Sequence, residues 1–210
     1  MGSPPAEFKT RSERGARIIS FLTISPFQIV MYMTFAEIIG ITFLERALLN
    51  TFSGIFYLVI PLIPLLYVSR TLKIRNYSIP LKDRAPVFYI QIIGFIGACF
   101  FYYLYPVFTG LNTEILFVFT VGYVILNTVA WVITQGFKFK ISLHMTGAAS
   151  SITGIVVIFG WWWSWLYLFC IPIAWSRVKL KAHTEAQVTS GTFLGIITLL
   201  LTFLCFGYVI

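Results

Sequence analysis

The chain reads as an all-α, polytopic bundle of membrane-crossing helices, and three observations predict that class. Of its 210 residues 59% are hydrophobic and only 10% are charged, whereas about a quarter of an ordinary soluble domain is charged. The apolar residues gather in runs of the length a bilayer demands, roughly 20 for one helical crossing. Every Lys and Arg except Arg46 lies before the first run or in alternate connections between the later ones.

Residues 1–17 are polar and basic, with no pattern for a cleavable signal, because the apolar stretch that follows is too long for an h-region and has no small-residue cleavage site. Residues 18–210 read as one membrane-embedded domain. Its apolar runs cover 18–44, 51–69, 86–108, 114–135, 146–160, 162–175 and 190–210. The fifth and sixth are short and nearly contiguous, either a tight helical hairpin or one long broken segment, so six and seven spans are the two solutions. Charge favours seven. Lys9, Arg11, Arg14 and Arg17 precede the first run; Arg70, Lys73, Arg75, Lys82 and Arg84 follow the second; Lys138 and Lys140 follow the fourth; Arg177, Lys179 and Lys181 follow the sixth. With seven spans all of these share one face, which the positive-inside rule makes cytoplasmic together with the N-terminus of a multi-pass cell-membrane protein.

On the other face the expected loops are short. Trp161, Trp162, Trp163 and Trp165 sit at the turn of the expected hairpin, as an interfacial aromatic belt would. The pairs Gly147/Ser151, Ser150/Gly154 and Gly191/Gly195 are four apart, a spacing that lets helices approach closely. Cys99, Cys170 and Cys205 stand singly in apolar runs and imply neither disulfide nor metal. Glu37 is the clearest carboxylate inside a run, with Glu45 and Glu114 near ends; it is a candidate for a polar cavity or for a pump-like alternative.

The basic connections hold the remaining chemistry. Residues 79–86, 140–147 and 176–187 would converge if they share a face. They bring guanidinium forks suited to phosphate oxygens, two imidazoles that titrate near neutrality, and helix N-termini whose amides favour anions. These are the parts of phosphoryl transfer through a histidine nucleophile, with cations on the equatorial oxygens and a second histidine to protonate the leaving oxygen. Gln187 lies four residues after His183, on the same helical face, where its amide oxygen can accept from one ring nitrogen and aim the other at phosphorus. Lys73, Arg75, Lys138, Lys140, Lys179 and Lys181 read as headgroup anchors.

Ser176-Arg177, five residues, then His183 resembles the last signature of the type 2 phosphatidic acid phosphatase (PAP2) superfamily of membrane phosphatases. Ser142 and His144 resemble its Pro-Ser-Gly-His signature, with Ile141 and Leu143 at the usual Pro and Gly. Lys82 and Arg84 resemble its first signature, with Ala85 interrupting the Arg-Pro pair. The resemblance implies a PAP2/haloperoxidase-like core, His183 as nucleophile, His144 as the catalytic acid and base, and Arg177, Arg84, Lys82 and Ser142 as phosphate-binding residues. Gln187 stands where the family usually has the aspartate that orients the nucleophile. The run His183 to Val188 is similar to the dolichyl diphosphatase branch, which favours a polyprenyl phosphate or diphosphate over a phosphatidate-type substrate.

The expectation is therefore a lipid phosphatase acting through a phosphohistidine, with no metal or cofactor, no nucleic-acid partner, and a phosphate-headed lipid as its substrate in the bilayer. The alternatives are a lipid phosphotransferase on the same fold, or a non-enzymatic lipid-binding or transport protein.

Overall fold

A computed structural model describes residues 11–23, 35, 38–39, 42–71 and 79–208. All secondary structure among the described residues is helical. Glu37, Lys9, Lys73 and Arg75 lie outside them, as does most of the expected first span, 18–44. What is described there is α1, Arg11–Leu22, which runs across the expected boundary at residue 17.

Helix α2, Phe43–Gly54, starts earlier than the second apolar run because Thr42 and Glu45 close a capping box: Glu45 N–H donates to Thr42 Oγ1 at 3.3 Å and Thr42 N–H to Glu45 Oε2 at 2.6 Å. Two orphan amides are thereby satisfied, so residues 43 and 44 belong to the second helix and not the first. A π turn, Ile55–Val59, joins α2 to α3, Ile60–Thr71, and the three pieces form one apolar rod. After the 3-10 turn Leu81–Asp83 come α4, Ala85–Thr109, and α5, Glu114–Trp131, which ends in a second π turn, Val132–Gly136. Gly110, at φ 73°, caps α4 in the left-handed conformation a residue without Cβ adopts freely.

Helix α6, Leu143–Phe159, is short. The chain reverses at Gly160 (φ 94°), runs through a 3-10 stretch, Trp161–Phe169, into α7, Cys170–Lys179, and closes with α8, Glu185–Cys205. Because the 3-10 stretch and α7 both pack back against α6, the two short runs fold as a hairpin and not as one broken segment. Among the described residues four helices are long and apolar enough to cross a membrane: Phe43–Val68, Leu81–Thr109, Glu114–Gly136 and Glu185–Cys205.

Neighbours follow one another as α3, α4, α5, α8, α6, α7 and α1. The tightest partnership, α6 with α8, follows from Gly191 and Gly195. A Cβ on Gly195 would fall 2.6 Å from the Thr146 carbonyl oxygen, and one on Gly191 2.9 Å from that of Ser142. Gly154 likewise lets the edge of the Phe119 ring close against α6. Buried aromatics from the first π turn, α4, α5 and α8 fill the centre, among them Tyr57, Phe95, Tyr102, Phe119, Tyr123 and Phe203. Three of their hydroxyls are matched, Tyr102 with Ser53 at 2.7 Å, Tyr123 with Ser151 at 2.7 Å, and Tyr57 with Thr120, whereas that of Tyr105 has no partner among the described residues. Pairing matters because an unsatisfied polar group away from water costs several kcal/mol, on the order of a lost hydrogen bond or more.

This order brings the start of α4, the end of α5, the start of α6, the end of α7 and the start of α8 to one end. The tryptophans lie at the other end of α6, where Trp161, Trp162 and Trp165 are exposed.

Candidate functional site

The three basic segments meet at that common end. In the first, Gln135 Nε2 donates to the Leu81 carbonyl at 3.0 Å and so ties the 3-10 turn to the end of α5. Pro86, in the first turn of α4, sits where its missing N–H is no loss. Arg84, the N-cap of α4, turns inward and is only 6% exposed. Its Nη1 donates to the Ile141 carbonyl at 2.7 Å, its Nε to the Ile79 carbonyl at 3.3 Å, and its Nη2 to His183 Nε2 at 3.4 Å. The first segment is thus bolted to the other two by one side chain. Lys82 stands exposed on the 3-10 turn, and no contact joins it to this group.

The second segment enters from α5 through Lys138, at φ 57°, and reaches Lys140, whose Nζ donates to the Ala182 carbonyl at 3.1 Å. Ser142 is the fully buried N-cap of α6, yet its hydroxyl makes no capping bond and has no hydrogen-bond partner among the described residues. His144 is in the first turn of α6. One ring nitrogen meets the backbone carbonyl of Ser20 on α1, and Nε2 has no partner among the described residues. Met145 and Thr146 N–H both donate to the Ser142 carbonyl, at 3.1 and 3.0 Å, while the amides of Leu143 and His144 have no acceptor within their own helix.

The third segment shows why five residues separate Arg177 from His183. Helix α7 ends in a Schellman motif: Ala182 N–H reaches back to the Arg177 carbonyl at 3.0 Å and Lys181 N–H to the Val178 carbonyl at 2.9 Å, with Lys181 left-handed at φ 51°. His183 N–H also donates to the Arg177 carbonyl, at 3.3 Å. The turn therefore folds His183 back over the residue that begins the spacing. The Arg177 side chain is 2% exposed and donates through Nη1 to Ser20 Oγ.

Thr184 then caps α8. Its hydroxyl accepts from Gln187 N–H at 3.3 Å, while Gln187 Oε1 accepts from Thr184 N–H at 3.2 Å and lies 3.2 Å from His183 Nδ1. The Thr184 amide can only donate, so it fixes which end of the Gln187 amide faces the ring. An oxygen there requires Nδ1 to carry the proton, and Arg84, which can only donate, faces the lone pair on Nε2.

Burial, and then the cations Arg84, Arg177 and Lys140, push His183 down from the usual imidazole value to about 3, against a smaller opposing effect of Gln187. Burial, followed by Arg84 and Arg177, pulls the Lys140 ammonium down to about 8. His144 lies within electrostatic reach of Arg177, His183 and Arg84. A cluster of buried cations, next to two buried polar atoms with no partner among the described residues, is arranged to receive an anion. Among the described residues no three His, Cys, Asp or Glu side chains come together as metal ligands.

Of the residues named from sequence, Arg84, Arg177, His183 and Gln187 come together directly; Ser142 and His144 reach them through Ile141 and through shared charge, and Lys82 does not. Two members were missed. Lys140 read as a headgroup anchor, and only its position two residues before Ser142 could have signalled otherwise. Ser20 carried no signal, since a serine in an apolar run resembles any other. No protein-family model, no curated protein and no solved structure matches the chain.

Proposed function

We propose that this chain is an integral membrane lipid phosphatase of the PAP2 type that hydrolyses a phosphate or diphosphate ester through a phosphohistidine at His183. One observation carries the reading: His183 has Nδ1 held by Gln187 and Nε2 beside the Arg84 guanidinium, in a buried cluster whose charged neighbours are all cations. An imidazole kept neutral, with its lone pair beside a group that grips phosphate oxygens, suits in-line attack on phosphorus.

The lipid head group is held by Arg84 and Arg177, with Ser142 and the amides of Leu143 and His144 on the remaining oxygens. His183 Nε2 forms a bond to phosphorus as the bond from phosphorus to the lipid-side oxygen breaks. His144, entering the step as the imidazolium, gives that oxygen its proton and is left neutral. Water then cleaves the nitrogen–phosphorus bond, His144 taking the proton from the water, and inorganic phosphate leaves. The cations and amides supply the charge stabilisation that the transition state needs.

Seven spans with a cytoplasmic site complete the reading, on the PAP2/haloperoxidase-like core. A 3-10 helix rises about 2.0 Å per residue and an α-helix about 1.5 Å, so the stretch Trp161–Phe169 and α7 together reach about 33 Å, near the thickness of a hydrocarbon core of about 30 Å. A polyprenyl phosphate or diphosphate is the favoured substrate, on the similarity of the run His183 to Val188 to the dolichyl diphosphatase branch.

The test is release of inorganic phosphate by the purified full-length protein from polyprenyl diphosphate, polyprenyl phosphate, phosphatidate and phosphatidylglycerol phosphate. Release from an isoprenoid substrate that is blocked by vanadate and lost in His183→Ala is the expected result. Wild-type protein that turns over none of the four would overturn the reading.

A further inference from the structure

The last turn of α1 touches two of the site's side chains at once. Ser20 is 2% exposed; its Oγ accepts from Arg177 Nη1, and its carbonyl takes a ring N–H of His144. That carbonyl has two lone pairs, and the Thr23 hydroxyl approaches it at 3.5 Å. Helix α1 ends at Leu22, so the carbonyls of its final turn have no amide four residues on within the helix. The negative end of the helix dipole points the same way and favours positive charge on the groups it meets.

We propose that Ser20 is a positioning residue of the site, and that α1 is therefore its third wall in addition to being an N-terminal arm. Its hydroxyl fixes the orientation of the Arg177 guanidinium beside His183. Its carbonyl, by engaging one ring nitrogen of His144, decides which nitrogen carries the proton and leaves Nε2 for the reacting oxygen. The step that the held residues perform rests on the phosphatase reading, whereas the holding does not.

Orthovanadate is the probe, because it mimics phosphate and needs no turnover. Full-length wild type, Ser20→Ala and Ser20→Thr are compared for vanadate affinity, for thermal melting, and for the 15N resonances of labelled His144, which report the protonated nitrogen. Ser20→Ala is expected to melt near the wild type and bind vanadate about tenfold more weakly, with Ser20→Thr restoring the affinity, while His144 keeps a single tautomer in all three proteins because the carbonyl that engages it belongs to the backbone. Unchanged vanadate affinity in Ser20→Ala, or a wild-type His144 divided between its two tautomers, would overturn the proposal. So would loss of affinity that follows loss of folding and is not rescued by threonine, and so would a wild type that binds no vanadate. If vanadate binding responds as expected while no lipid is hydrolysed, the anion site and its positioning stand and the phosphatase reading falls alone.

Discussion

Gln187 Oε1 lies 3.2 Å from His183 Nδ1 while accepting the Thr184 N–H at the same distance, so one amide oxygen both caps α8 and orients the imidazole. The position at which the resemblance departs from its family is therefore occupied by a working acceptor, one without charge. A neutral acceptor fixes the tautomer but gives an imidazolium less support than a carboxylate would. Gln187→Ala should lose the cap, worth about 1 kcal/mol, and also reduce His183-dependent phosphate release by about a hundredfold. Gln187→Glu should keep the cap and raise the His183 pKa, so that the acidic limb of the rate profile moves to higher pH. Rate–pH profiles of the two variants check this.

Lys140 makes anion affinity pH-dependent on the alkaline side. With its ammonium titrating near 8 in the empty site, the cluster loses a positive charge above that pH, and vanadate inhibition should weaken between about pH 8 and 9. Arginine stays charged throughout, so Lys140→Arg should flatten the alkaline fall. Inhibition constants measured across that range decide it.

His183 should make the fold acid-sensitive. Its folded pKa, about 3, lies below the ordinary imidazole value, so between about pH 3 and 6.5 the unfolded chain binds more protons than the folded one. The resulting penalty is absent above pH 6.5 and grows as the pH falls through this window. Melting temperatures should decline on acidification more steeply for the wild type than for His183→Gln.

The approach of α6 to α8 sets the distance between the two histidine segments. Gly195→Ala places a methyl 2.6 Å from the Thr146 carbonyl oxygen and 3.0 Å from Ser150 N, both backbone atoms that cannot swing aside. It should destabilise the bundle by about 1–3 kcal/mol and cut phosphate release at least tenfold. Gly54→Ala, with no heavy atom within 4 Å, is the matched control and should leave both nearly unchanged. Melting and release assays on the pair check this.

What the sequence made legible is what length, apolarity and spacing encode. The apolar runs marked the four long helices and the α6–α7 hairpin, and the four-residue spacing of Gly191 and Gly195 foretold their close contact. Arg84, Arg177, His183 and Gln187 could be grouped in advance because their connections share one end of the helices. Helix starts were less visible: capping boxes at Thr42 and Thr184 extend α2 and α8 beyond their apolar stretches, since a cap is read from a polar side chain and not from hydropathy. Lys82 and Lys140 show the limit for single residues. Both are lysines in basic loops, and only the three-dimensional path of each loop turns Lys140 towards Ala182 while leaving Lys82 in the open.

The turn that ends α7 gives the gap between Arg177 and His183 a meaning of its own. The five residues within it are constrained in number far more than in kind. Lys181 supplies a left-handed backbone that many side chains would adopt only at a cost of about 1–2 kcal/mol, but none of the five has to touch the anion. Adding or removing one residue there would shift the histidine out of register with Gln187 and Arg84 together, so the gap serves as a ruler whose length, and not its lettering, holds the chemistry in place.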